Sequence, residues 1–190
     1  MTTAEGASII DFLRKEGRGL PDLPEDQEPL RPPLTTNGLA GCCLAGREAP
    51  PEVESPWLLT PCFFLRDGLC SVYPVRPFAC RSFASTVNCR ESGMAEVPEW
   101  LLTLAIVTNQ LLEALDRGGR WGNMADVLNY LEFGDARGAE AAVEGRLLLN
   151  LPSPGLLVMP EELQLVDDYL ARLDEMTGLD LVSLGFRGGR

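Results

Sequence analysis

Residues 62–89 read CFFLRDGLCSVYPVRPFACRSFASTVNC. The four cysteines of this stretch, Cys62, Cys70, Cys80 and Cys89, are separated by gaps of seven, nine and eight residues, and the only other two, Cys42 and Cys43, lie just upstream. Ligands of a metal or cluster must converge on a point, and short segments converge at a lower cost in loop-closure entropy than distant ones. Three readings of these thiols compete: buried inert side chains, a disulfide framework, and thiolate ligands. The disulfide reading calls for an oxidising compartment. Met1-Thr-Thr-Ala-Glu-Gly6 is neither basic nor followed by an unbroken apolar run, so no secretory signal is expected and thiolate ligation is preferred.

The chain has no histidine. Mixed Cys/His zinc sites, histidine-ligated iron and Ser-His-Asp or Cys-His relays are therefore excluded. The spacing matches neither paired CxxC knuckles nor a bacterial ferredoxin run, which leaves Zn(Cys)4 or a cubane cluster. Charge points the same way. Between Cys62 and Arg90, four arginines (Arg66, Arg76, Arg81, Arg90) face a single acid, Asp67, for a local formal charge of +3 in a chain of −12. Such a basic island offsets a negative thiolate centre, and Arg76 and Arg81 are candidates to donate hydrogen bonds to its sulfur or to an anionic ligand.

The run PCFFLRDGLCSVYPVRPFACRSF resembles the signature of the YkgJ-type cysteine-cluster family, described as a zinc- or iron-chelating domain. That signature reads C-P-F-L-x-x-G-x-C-x-I-Y-x-x-R-P-x-x-C-R with a Cys-Cys pair upstream. Cys62, Phe64, Leu65, Gly68, Cys70, Tyr73, Arg76, Pro77, Cys80 and Arg81 match it, and Cys42-Cys43 match the pair. The resemblance covers about residues 36–90 and implies an iron–sulfur cluster (4Fe-4S), favoured over Zn2+. Many members carry Cys-x-x-Cys-x-x-Cys-Cys; here the first two positions fall on Thr36 and Leu39, so one site is expected rather than two. Cys62, Cys70 and Cys80 occupy the best-matching positions. Adjacent side chains of an extended segment point to opposite sides, so Cys42 and Cys43 are not expected to share one ion. Cys43 ranks first as the fourth ligand, with Cys89 and Cys42 as alternatives.

The resemblance extends to flagellin lysine N-methylase. It thereby implies a second function class, an iron–sulfur-dependent enzyme modifying a protein side chain, with a protein partner or protein substrate. The first class is a metal-binding protein acting in metal handling or redox. The sequence does not decide whether the chain is an enzyme.

The hairpin within the stretch makes a geometric demand. Asp67-Gly68 lies between two runs of strand composition. A two-residue turn would pair Leu65 with Cys70 and send Cys62 to the other face. Two thiolates sharing a metal predict either a three-residue loop, Arg66-Asp67-Gly68, pairing Phe64 with Cys70, or a Cys62 outside the ladder.

Outward from there, 190 residues with 45% hydrophobic content suffice for one core, and a single domain is expected: a cysteine-rich module at 36–90 and a helical part at 91–190. With 16 basic against 28 acidic residues, nucleic acid is not an expected partner. The apolar run Leu101–Val107 is too short to cross a bilayer, so no membrane role is expected and a cytoplasmic location follows.

The expected fold is mostly α, with a helical core and a small irregular cysteine-rich module carrying at most a short β-hairpin. Helix 3–16 presents Ile9, Ile10 and Leu13 and stops at Gly17. A proline-bearing connector spans 18–38, Thr35 to Gly46 delivers the Cys-Cys pair on an irregular or short helical segment, a second polar loop spans 47–56, and Trp57-Leu58-Leu59 should anchor the module. The core helix begins at Pro98 and ends at Gly118-Gly119, with Trp100, Leu101, Leu104, Val107, Thr108, Leu111, Leu112 and Leu115 as its apolar face. Further helices are expected at 124–133, at 136–148, and from Pro160 to Gly178 with Leu163, Val166, Leu170 and Leu173 on one side. The tail from Gly185 is expected to fray.

Overall fold

The computed structural model describes residues 1–23, 32–51, 61–134 and 145–186, with only the backbone of Cys89 and Arg90. The described fold is mostly α. Seven helices appear among the described residues: α1 (Thr3–Lys15), α2 (Thr36–Leu44), α3 (Phe78–Ser82), α4 (Cys89–Ser92), α5 (Glu99–Leu115), α6 (Met124–Phe133) and α7 (Leu163–Thr177). Two antiparallel ribbons accompany them, β1 (Leu65–Arg66) with β2 (Leu69–Cys70) and β3 (Arg120–Gly122) with β4 (Leu147–Leu149). No helix among the described residues is long and apolar enough to cross a membrane.

The chain divides into two compact, interleaved units. The first comprises Met1–Thr35, Pro50–Pro77 and Gly118–Leu149; the second comprises Thr36–Ala49, Phe78–Arg117 and Asn150–Arg190. Residues 36–90 therefore contribute to both.

In the first unit, α1 starts at a capping box. Thr2 Oγ1 accepts the Glu5 N–H at 3.3 Å and Glu5 Oε2 accepts the Thr2 N–H at 2.9 Å, which satisfies two otherwise orphaned donors. Ile9, Ile10 and Leu13 on its inner face pack with Phe64, Val72 and Leu128 into one buried cluster. Each such aliphatic side chain contributes about 2 kcal/mol on leaving water. Phe64 and Val72 flank the cysteine hairpin, so the hairpin is held by the α1–α6 core. α6 runs over the expected 124–133, and Asp126 pairs with Arg146 at 3.5 Å.

In the second unit, Val107, Leu111 and Ala114 of α5 pack against Val166 and Leu170 of α7 and against Leu181 and Phe186. Thr108 Oγ1 and the Tyr169 hydroxyl add a 2.6 Å hydrogen bond between the two helices.

Three expectations change. The helix expected at 136–148 does not reach its end: Leu147–Leu149 form β4, paired with Gly122, Trp121 and Arg120. Residues 135–144 lie outside the described set, as does the Trp57-Leu58-Leu59 anchor. The tail is ordered through Phe186, which is 2% exposed and donates its N–H to Leu181 O at 2.8 Å. Burial of a phenylalanine outweighs the fraying expected of a glycine-rich end. The buried face of α5 is also rotated from the expected one. Trp100 is 52% exposed and Leu115 is exposed, while Thr103, Gln110 and Glu113 face inward. Apolar residues surround α5 on most sides, so hydrophobic periodicity marks no single stripe.

Candidate functional site

The hairpin turns on two residues. Leu65 pairs with Cys70 and Arg66 with Leu69, leaving Asp67 (φ 50°) and Gly68 (φ 79°) as the connection. Positive φ at both central positions is the type I′ geometry, whose twist matches the flanking strands. Asp tolerates that backbone and Gly adopts it freely, so Asp-Gly selects the short turn over the three-residue loop. Cys62 then lies ahead of the ladder, the second of the two arrangements expected for shared ligation. It opens a separate turn in which its carbonyl accepts the Leu65 N–H at 2.8 Å, and its side chain is exposed. Cys70 is half-buried and packs against the Ile9–Phe64–Val72 cluster.

Beyond the hairpin, Tyr73–Val75 form a 3-10 turn with Pro74 in its first turn. Arg76 follows in extended backbone (φ −61°, ψ 145°), the conformation that the next residue, Pro77, imposes. Its guanidinium stacks over the exposed Tyr73 ring at 4.2 Å from the centroid. The ring therefore carries a cation rather than filling a core.

In the second unit, Cys80 and Arg81 lie on the five-residue α3, and both are exposed. Cys89 is the first residue of α4; its side chain lies outside the described set. The loop bearing it is closed at its neck. Thr86 N–H donates to Glu96 O at 2.9 Å, and Ser85 Oγ accepts the N–H groups of Glu96 at 3.0 Å and Val87 at 3.2 Å.

Cys42 and Cys43 lie near the end of α2, so they diverge by about 100° around a helix rather than by the half-turn of an extended segment. Cys42 is half-buried and Cys43 is exposed. The helix ends in a Schellman motif. Gly46 (φ 61°) donates to Cys43 O at 3.0 Å and Arg47 donates to Cys42 O at 2.9 Å. At the other end stands a buried polar network that sequence reading missed. Glu113 Oε2 accepts the Asn37 N–H at 2.8 Å and Glu113 Oε1 accepts the Leu151 N–H at 2.8 Å. Asn37 Nδ2 donates to Gln110 O at 3.0 Å and Leu151 O at 2.9 Å, and Gln110 Nε2 donates to Asn37 Oδ1 at 3.2 Å and Gly155 O at 2.8 Å. The available signal was spacing: Thr103, Val107, Gln110 and Ala114 recur at helical intervals along α5.

Cys42, Cys43, Cys62 and Cys70 are free thiols. Among the described residues, no three Cys, Asp or Glu side chains come together as a metal site. The donors have the right chemistry for a thiolate centre, and their convergence is not part of the described geometry. No protein-family model, curated protein or solved structure matches the chain.

Proposed function

We propose that the protein binds a metal centre through four thiolates of this set: Cys62, Cys70, Cys80 and Cys43, with Cys89 or Cys42 as the alternative fourth. A 4Fe-4S cluster is favoured over zinc, and the role is metal handling or electron transfer. The observation that carries this reading is the exposure of the thiols. Free cysteine is among the most buried residue types, yet Cys43, Cys62 and Cys80 are exposed and Cys42 and Cys70 only half-buried. Inert packing leaves no reason for that pattern, and a disulfide framework is at odds with the free thiols of Cys42, Cys43, Cys62 and Cys70. Thiolate centres couple metal binding to folding, so the metal itself would draw the ligand-bearing segments together. Such a centre supplies net negative charge and, as a cluster, a one-electron couple; Arg76 and Arg81 would balance that charge.

Single Cys→Ser replacements of the full chain, each followed by metal analysis after anaerobic purification, test the assignment. Replacing Cys62, Cys70 or Cys80 should abolish metal retention, while one of Cys42 and Cys43 should tolerate the change. Full metal content in all six variants would refute a four-thiolate site.

A further inference from the structure

Helix α2 is nine residues long and reads TNGLAGCCL, with two glycines and little amphipathic pattern to fix its rotation. Its adjacent cysteines make register matter: a slip of one residue would put Cys43 where Cys42 stands. The inward contact from its middle is the small Ala40, 0% exposed. Side-chain packing alone is therefore a weak determinant of register, and the polar network at the first turn takes that role. Glu113 is 1% exposed and Gln110 is 0% exposed. The Glu113 carboxylate gives one oxygen to Asn37 N–H and the other to Leu151 N–H, both at 2.8 Å. Only an acceptor-only group serves both donors, since an amide would turn an NH2 against one of them. A negative charge at the start of a helix also meets the positive end of its dipole. Buried polar groups of this kind are best attested as register-setting devices.

We propose that Glu113 is a positioning residue for the Cys42–Cys43 pair, fixing the register and rotation of α2 and so the placement of both thiols. In consequence metal affinity depends on a residue that is not a ligand; that consequence rests on the metal-binding reading above. Cys42 lies five residues beyond Asn37, about 7.5 Å along the axis, close enough for a rigid helix to transmit the anchor.

The full chain, Glu113→Gln and Val166→Ala are compared. Val166 is buried in the α5–α7 core and serves as a control for general loss of stability. Two quantities are read: the ratio of Cys42 to Cys43 alkylation in metal-free protein, mapped by mass spectrometry, and Co(II) affinity from thiolate-to-metal charge transfer. Glu113→Gln should change the alkylation ratio, leave Cys62 and Cys80 labelling at the parental rate, and weaken Co(II) binding by about tenfold, as loss of a ligand-orienting partner does. Val166→Ala should do neither. An unchanged ratio and affinity in Glu113→Gln, or the same shifts in Val166→Ala, would overturn the proposal. If the parent chain bound no Co(II), the metal-binding reading would fail, and the alkylation ratio alone would decide for or against Glu113.

Discussion

The Glu113 carboxylate receives the main-chain N–H of Asn37 at 2.8 Å, which places a charged group that is 1% exposed at the first turn of the helix bearing Cys42 and Cys43. Its second oxygen holds Leu151 N–H. Glu113→Leu removes both acceptors, leaving the buried Asn37 N–H and the part-buried Leu151 N–H without this partner. A loss of about 3 kcal/mol in unfolding free energy is expected, read as a lower urea midpoint at unchanged m-value. A change under about 0.5 kcal/mol, the range of ordinary surface substitutions, would show that the network contributes no stability.

Gly46 closes α2 with φ 61°. A Cβ there meets the left-handed backbone penalty, so Gly46→Ala should cost about 1 kcal/mol. Gly46→Asn, which tolerates that backbone better, should cost less. Equal losses from the two variants, measured by urea denaturation, would contradict a left-handed cap.

Gly68 and Asp67 both carry positive φ in the two-residue turn. Gly68→Val places a β-branched residue where it strains most and should destabilise the hairpin, whereas Asp67→Asn should be near neutral. Hydrogen exchange at Ser71, whose N–H donates to Phe64 O at 2.9 Å, reports on that hairpin. Faster exchange in Gly68→Val alone is the expected outcome.

How much of this was legible in the sequence varies with the physics of each element. α1 and α6 were readable almost to the residue, α1 because Gly17 marks its end and a single apolar stripe of Ile9, Ile10 and Leu13 marks its inner face. α5 was readable in extent but not in orientation: Leu and Ile on nearly every side hide which face turns inward, and polar burial of Gln110 and Glu113 has no signature in hydrophobic periodicity. β4 was missed because Leu147–Leu149 is too short to distinguish helix from strand without its partner, Gly122. At the site, the Asp-Gly turn carried its own geometry in two letters. A short helix was one of two readings for the segment bearing Cys42 and Cys43; what anchors it was not readable, because Asn37, Gln110 and Glu113 are far apart in the chain.

Phe186 lies at the end of the described chain, yet it packs with Leu181, Val107 and Leu170. Phe186→Ala should cost about 3–4 kcal/mol, as for a core aromatic. A chain shortened at Ser183 should lose at least as much. A melting temperature unchanged in either variant would mean the tail is not part of the core.

The proposed centre rests on thiolates sharing one metal, and metal and sulfide analysis of anaerobically purified protein tests it most directly. The expected result is a brown protein holding about four iron and four acid-labile sulfide per chain, or failing that a colourless one with a single tightly held zinc; either removes four of the six cysteines from reaction with a thiol reagent until the metal is stripped. A chain that retains no metal and exposes the same number of reactive thiols before and after treatment with a chelator would contradict it.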